Sequence, residues 1–443
     1  MGQQTNTDVV DLFKEVYGDH QDLLPDDNHL AKMMPFSEKG KVGENYNESC
    51  TLTHESGFTL SDTTDAFELN PARAGTVKQA QVTPYISVLP SIVPWGIISR
   101  SQGGGKKSFF DATKYIVKNN LKSHYKLLEI LRLYGRSDKL LGYVSYATQD
   151  YRGVAFSTGT GTLTLKDATT MAFTNGVNTT SKTILLAPGD FAAGIWVGME
   201  GVKVNQVDST GAIVASGSLT AVDAPLGFIT VDFTPVAATS TTSHRLCFDG
   251  MQASKDMVGI HNILNNSGTL FNIATADYSL WQGNVVDCDS KKFGMEIYQD
   301  GIAEMVNRGG MEGDLKVYLN PRSWADVVTA ETNLVAHDAK SKHPTKFVNG
   351  AEGAEYHSQN GKAVFISHRM VMEGDAFALC PETWTRSGSA EASFQVPGMA
   401  QEIIFPLQNQ AGYAFRSYAD QYIFCHRPAD NCYFKNINDE SAA

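Results

Sequence analysis

Four lysines recur at every fourth position along one stretch: Lys114, Lys118, Lys122 and Lys126. On a helix this spacing advances about 40° per step, so the ammonium groups form one slowly drifting ridge. Such a ridge can neutralise nucleic-acid phosphate, or it can be a solvated face or the partner of an acidic segment. The other candidate chemistry is weaker. Gly103-Gly104-Gly105-Lys106-Lys107-Ser108 suggests a phosphate loop, but Arg100 stands where the first glycine belongs and Lys107 where Ser or Thr must reach magnesium. It reads as a flexible link before a capped helix. Cys425, His426 and Cys432 could supply zinc ligands, yet a tetrahedral site needs four and no fourth lies at metal spacing. In an aromatic, strand-like stretch they read as core thiols. Asp287-Cys288-Asp289 opens like a calcium loop, but Lys291 and Lys292 occupy a ligand position and the glycine position. Asp289 or Ser290 reads as a helix cap instead. The eleven histidines show no His-Glu-x-x-His pattern or Cys–His nucleophile context, and no Gly-x-Ser-x-Gly elbow occurs. A Ser-His-Asp triad can assemble from distant positions, but nothing here points to one. The expectation is no catalytic residue, no metal and no cofactor.

The lysine ridge needs a helix, and residues 108–134 are the clearest one. Ser108 and Asp111 make a capping-box-like start, and Phe110, Val117, Leu121, Leu128 and Leu131 form an apolar stripe. Gly135 is a good stop. The span gives a helix about 40 Å long. Before it, residues 7–18 read as a short amphipathic helix carried by Val9, Leu12, Phe13, Val16 and Tyr17. Leu30, Met33 and Met34 suggest a second short piece. Such an arm has too little apolar surface to fold alone and must dock on the chain or on a neighbour. Residues 41–88 read as a long two-stranded hairpin with a polar middle from Ser61 to Gly75. An isolated ribbon of this kind is marginal in water.

Residues 150–250 are rich in Ser, Thr, Gly, Ala and Val. Strands are expected at 162–165, 183–186, 194–204, 213–219 and 228–233, as a small antiparallel barrel or sandwich. Helical character returns from Ser290 to Arg308, with Gly309 and Gly310 as the stop. Leu315 to Leu319 is an apolar strand, and Asn320-Pro321 opens the helix that follows. Ala363 to Ile366 is another buried strand, and the remainder is β-rich.

The chain has 443 residues, 42% hydrophobic and 19% charged, with net charge −12. That composition suits a globular protein and excludes a mainly disordered one. Residues 1–70 hold 14 Asp and Glu against four lysines, and residues 100–139 hold ten Lys and Arg against three acids. An acidic arm therefore precedes a basic helix. The most apolar stretch, Tyr85 to Ile98, is broken by Pro90 and Pro94 and is too short to span a membrane as a helix. Met1 to Asp11 reads as neither a signal peptide nor a transit peptide. Six scattered cysteines argue for reduced thiols rather than a disulfide framework.

The order of acidic arm, long hairpin, lone long helix, β-insertion and mixed α/β region resembles the major capsid proteins of tailed double-stranded DNA phages, the Hong Kong 97 fold. Glu44-Asn45-Tyr46 through Gly57-Phe58-Thr59 resembles the entry to the extended loop. Phe109-Phe110-Asp111-Ala112-Thr113 through Leu133-Tyr134-Gly135 resembles the spine helix and its exit. Pro188-Gly189-Asp190, Gly201-Val202-Lys203-Val204 and Phe228-Ile229-Thr230-Val231 look like the β-barrel insertion of some short-tailed phages. The stretches 263–270 and 318–324 look like later peripheral- and axial-domain segments.

The resemblance implies an α+β fold. Its parts would be an N-terminal arm (1–40), an extended loop (41–107), a spine helix and peripheral domain (108–150), an inserted β-barrel-like domain (151–250), an axial domain with peripheral segments (251–400) and C-terminal return strands (401–443). It implies pentamers and hexamers of one chain closing an icosahedral shell around the genome, assembled in the host bacterial cytoplasm. Portal, scaffolding and decoration proteins would be further partners, with no membrane. The arm and loop would reach across neighbours, and Lys114, Lys118, Lys122 and Lys126 would face packaged DNA or a neighbour's acidic arm. An encapsulin-type compartment shares the fold. A hydrolase with a β-rich recognition domain and a fibrous tail component are the readings from other classes.

Overall fold

The computed structural model describes residues 28–37, 45–96, 112–137, 141–142, 160–164, 170–174, 177–178, 182–186, 189–225, 227–237, 244–251, 257–311, 313–335, 354–357, 361–394, 404–407 and 411–438. The expected helix at 7–18, the glycine-rich stretch 103–108 and the cap at Ser108–Asp111 lie outside them. In chain order the elements begin with α1 (His29–Met33), β1 (Phe36–Ser37), β2 (Tyr46–Thr51), β3 (Val77–Val82), β4 (Tyr85–Pro94) and α2 (Ala112–Tyr134). Next come β5 (Thr160–Thr164), β6 (Thr170–Thr174), β7 (Val177–Asn178), β8 (Thr183–Leu185), α3 (Ala193–Trp196), β9 (Lys203–Val207), β10 (Ile213–Asp223), β11 (Phe228–Val231) and β12 (Arg245–Phe248). Then follow α4 (Ile260–Leu264), β13 (Thr269–Leu270), β14 (Ile273–Ala274), β15 (Asn284–Asp287), α5 (Met295–Gly309), β16 (Leu315–Leu319) and α6 (Pro321–Val335). The last are β17 (Ala354–His357), β18 (Lys362–Ser367), β19 (Ala376–Leu379), β20 (Trp384–Ser393), β21 (Ile404–Pro406), β22 (Gly412–Cys425) and β23 (Cys432–Lys435). No described helix is long and apolar enough to cross a membrane.

The chain divides into two compact units. The described residues of the first are 28–37, 84–96, 112–129, 386–394, 404–407 and 411–422. Its long ladder is antiparallel, running from Tyr85↔Gln421 to Pro94↔Gly412 between β4 and β22. β4 has no second partner among the described residues, and an edge strand is where Pro90 and Pro94, lacking a donor, disturb no ladder. β4 lies within the stretch 41–107 expected as loop, yet it pairs into this sheet rather than into the ribbon. Helix α2 covers the sheet's inner face. The buried His124 places Nε2 2.6 Å from Ser87 Oγ and Nδ1 2.8 Å from Ser417 Oγ. Asn120 Nδ2 donates to the Leu89 carbonyl at 3.2 Å.

The inner part of the arm is docked on its own chain. Leu30, Met33 and Met34 are buried, and Leu30 N–H donates to the Glu129 carboxylate at 2.5 Å. β1 runs parallel to β20. The buried Arg386 donates through Nε to the Met34 carbonyl (2.8 Å) and through Nη2 to Glu391 (2.6 Å), with its guanidinium over the Phe36 ring.

The second unit holds the ribbon, the insertion and a six-stranded sheet ordered β15-β23-β19-β16-β18-β17. β16 is parallel to β18 and antiparallel to β19. Covered strands of this kind read as continuous apolar runs, and Leu315 to Leu319 does. The core gathers Tyr298, Ile302, Met305, Val317, Phe365 and Phe434. A Cβ at Gly301 would lie 2.4 Å from the Phe434 ring, so glycine lets α5 approach β23. The carboxylate of Asp375 accepts from the Tyr134 and Tyr433 hydroxyls at 3.1 and 2.7 Å.

Two expectations are corrected here. α5 begins at Met295 behind Gly294, not at a cap formed by Asp289 or Ser290. Those two residues take left-handed backbone angles in a turn, where Asp287 Oδ1 accepts the Asp289 N–H at 3.1 Å. The strand expected at 194–204 is a buried helical turn, α3, followed by β9. A short apolar run does not by periodicity distinguish strand from helix, and Gly194 here donates its N–H to the Arg369 carbonyl at 3.0 Å. α6 opens as expected, with Asn320 Oδ1 accepting from Arg322 N–H at 3.0 Å and proline at the first position. The insertion is an antiparallel ladder, β12-β9-β10-β11-β8-β7-β6-β5. Its end strands, β5 and β12, are not paired to each other among the described residues.

Candidate functional site

The feature that burial leaves unfinished is the ribbon. β2 and β3 pair antiparallel from Tyr46↔Val82 to Thr51↔Val77. Period-two alternation gives the ribbon root an inner face of Tyr46, Glu48, Cys50, Ala80 and Val82. That face rests on the rest of the second unit. Tyr46 meets the Phe424 ring at 6.2 Å, Lys78 Nζ sits 5.0 Å over Tyr278, and Gln81 N–H donates to the Phe271 carbonyl at 2.9 Å. His426 Nδ1 lies 2.7 Å from Glu48 Oε1, and its Nε2 lies 2.6 Å from Thr385 Oγ1. Beneath β2 is a cavity of about 310 Å³, bordered by Glu48, Cys50, Leu52, Trp281, His426 and Asp430. Burial first, and the Glu48 charge second, push the Cys50 thiol up to about 11.

Beyond the root the two arms pinch together. Ser56 and Arg73 exchange backbone hydrogen bonds of 2.9 and 2.8 Å. Gly57, at φ +116°, leaves no room for a Cβ, which would lie 2.8 Å from Ala72 Cα. The tip that follows is ordered by local polar bonds. Asn70 N–H donates to Thr59 Oγ1 at 2.8 Å, and Asn70 Nδ2 donates to the Phe58 carbonyl at 2.9 Å. This order holds large apolar side chains in water: Phe58 is 80% exposed, Leu60 83%, Leu69 76% and Phe67 49%. Glu55, Asp62, Asp65 and Glu68 are exposed in the same stretch of chain. In the first unit, the outer face of β4 shows a second such row, with Ile86, Val88 and Ile92 exposed. Large contiguous exposed apolar surface on a folded chain marks a contact site.

All four lysines of the ridge fall in α2, as their spacing predicts. The Lys114 side chain lies outside the described residues. Lys118 is exposed and Lys122 and Lys126 are half-buried, and each of these three has an interaction within the protein. Cys425 and Cys432 are buried core thiols, and burial raises both well above the ordinary thiol range. Asn431 Nδ2 points at Cys425 Sγ, 3.5 Å away. Their sequence neighbour His426 instead faces the ribbon, a role no local pattern signals because Glu48 is so distant in the chain. Among the described residues no three His, Cys, Asp or Glu side chains are placed to hold a metal.

No family model matches the chain, and no curated protein matches it. Among solved structures it is similar to the capsid asymmetric unit of cyanophage A-1(L), with 9% identity and a TM-score of 0.52 over 96% of this chain and 97% of that one. It is also similar to the capsid of a native GTA particle (7% identity, TM-score 0.47, covering 95% and 94%). A chain of Mycobacterium phage Bobi aligns over 100% of both chains, with 8% identity and a TM-score of 0.45. The likeness to the cyanophage chain is one of fold, end to end. This chain has an α+β fold of the Hong Kong 97 type.

Proposed function

We propose that this chain is the major capsid protein of a tailed double-stranded DNA phage, many copies of which form pentamers and hexamers of an icosahedral shell. The observation that carries the reading is the ribbon tip. Its backbone is ordered, yet Phe58, Leu60 and Leu69 are almost wholly in water. A chain that holds such side chains outward needs a surface from another molecule to cover them. A copy of itself is the partner that a closed shell supplies, through repeated identical contacts. The fold shared with a phage capsid chain supports the same reading. The role is structural, not catalytic.

Finer assignments follow from it. The inserted antiparallel domain supports a coat of the short-tailed type. Lys114, Lys118, Lys122 and Lys126 are proposed to face packaged DNA, making non-specific phosphate contacts. The shell would assemble in the host bacterial cytoplasm and take portal, scaffolding and decoration proteins as partners.

Negative-stain microscopy with size-exclusion chromatography tests the proposal on the full chain, expressed alone and with candidate scaffolding protein. The expected result is closed shells. A variant carrying Phe58→Ser, Leu60→Ser and Leu69→Ser should remain an unassembled subunit that melts at the wild-type temperature. Wild-type chain that stays a small monomer in both settings would overturn the reading. Particles carrying cargo protein in place of nucleic acid would point to a compartment shell instead.

A further inference from the structure

The ribbon root is held unevenly. Its inner end is packed: Val82 and Ala80 are buried, Gln81 is bonded to Phe271, and Thr83 Oγ1 donates to Asn45 Oδ1 at 2.6 Å. Farther out, Glu48 and Cys50 border the cavity, and the buried Leu52 just past the strand borders it too. On β2 Glu48 makes a polar contact to the body with His426, and on β3 Lys78 lies over the Tyr278 ring. We propose that the Glu48–His426 contact is a releasable pin, and that the ribbon root swings off the cavity about its inner end when the pin opens.

Four features make the pin releasable and specific. Both partners reach water, with Glu48 25% and His426 33% exposed. Opening therefore hydrates them rather than stranding a charge in the interior. The imidazole is aimed from behind, since Nε2 is engaged by Thr385 Oγ1 and the ring stands edge-on to Phe424 at 4.9 Å. The neighbouring charges are otherwise occupied: Arg427 Nε lies 3.2 Å from Asp430 Oδ2. Asp375, wholly buried between two tyrosine hydroxyls, has none of this freedom. The cavity supplies room, because lifting Cys50 away from it separates few packed atoms. The pin then sets the angle at which the tip is offered. This concerns the single subunit and does not rest on the shell reading.

Cys50 is a built-in reporter. It borders the cavity, and the other five cysteines are at most 2% exposed. Maleimide labelling of the unassembled full chain, with each cysteine followed by peptide mapping, measures the opening. His426→Ala should speed Cys50 labelling about five- to tenfold, the size expected for loss of one charge-assisted hydrogen bond at a partly exposed site. Thr385→Val, which only frees the ring's orientation, should speed it about twofold. His426→Ala keeps the Glu48 charge, which disfavours the thiolate, so a faster reaction reports opening rather than thiol activation. Cys247, Cys288, Cys380, Cys425 and Cys432 should be unaffected, because they react only on larger unfolding. An unchanged Cys50 rate in His426→Ala overturns the pin, as does a parallel rise at all six thiols. If His426→Ala does not fold, Thr385→Val decides: unaltered Cys50 labelling together with unaltered amide exchange at residues 47–51 overturns it equally.

Discussion

Phe365 in the six-stranded sheet and Phe58 in the ribbon tip are the same residue in opposite settings. Phe365 is wholly buried, with the Tyr298 ring edge-on at 5.0 Å. The strands around it, β16 and β19, are buried almost throughout. Order there comes from packing apolar surface. Phe58 stands in water, and order in its loop comes from short polar bonds such as Asn70 to Thr59. The apolar side chains of the tip therefore do not hold the tip together. Their burial must come from a second surface, which makes the tip a contact element and the sheet a scaffold.

The largest expected effect lies in the scaffold. Phe365→Ala should cost about 3–5 kcal/mol of subunit stability, read as a drop in denaturation midpoint, and any loss of shells would follow from unfolding. The triple serine variant of the tip should change subunit stability by no more than about 0.5 kcal/mol while abolishing shells. A tip variant that destabilised the isolated subunit as much as Phe365→Ala would erase the distinction, because Phe58 would then be packing against its own chain.

How much of this could be read from the sequence varies with the range of the cause. Leu315 to Leu319, the Asn320-Pro321 helix start and the α2 ridge depend on neighbours within a turn or two, and they fold as their residues indicate. The ribbon was legible as two extended stretches about a polar middle, but the place of β4 was not. Its apolar residues and prolines fit a ribbon arm as well as an edge strand, and only pairing with β22 decides. α3 differs from the strand expected there because a four-residue buried turn leaves no period to detect. The arm's inner piece was recognised as helical, but its docking through Arg386 depends on a residue some 350 positions later. The exposed tip was legible as a polar-looking turn, yet its contact role rests on side-chain exposure that no spacing reveals. The same holds for the Glu48–His426 contact.

A smaller effect sharpens the contrast from inside the tip. Thr59→Val removes the hydroxyl that accepts the Asn70 N–H. About 1 kcal/mol of local order should be lost, seen as faster amide exchange at Asn70, while the global midpoint stays unchanged. A fall in the global midpoint would mean that the tip and the sheet unfold as one unit, contrary to the separation drawn above.

The smallest expected effect is in another exposed turn ordered by polar bonds, between β9 and β10. Asp208 Oδ1 accepts from Thr210 Oγ1 at 2.6 Å, from Thr210 N–H at 2.8 Å and from Ala212 N–H at 3.0 Å, and Gly211 supplies the φ of +84° that closes the turn. The Thr210 hydroxyl first, and the Ala212 amide next, hold the Asp208 carboxyl below its ordinary range. A group whose folded pKa is depressed lends stability that is complete above the unfolded value of about 3.9 and is lost as pH falls through the folded value. The Thr210 and Ala212 amides should therefore stay protected down to about pH 4 and lose protection only below it. In Asp208→Asn the same amides should show no such titration, since the side-chain carbonyl accepts at every pH. Phe365 packs against the Tyr298 ring rather than against a carboxylate, so acid in this range should loosen the exposed turn without loosening that contact. Wild-type amides that ignore acid, or an Asp208→Asn turn that still frays with it, would show that backbone geometry rather than the carboxylate orders the exposed parts of this chain.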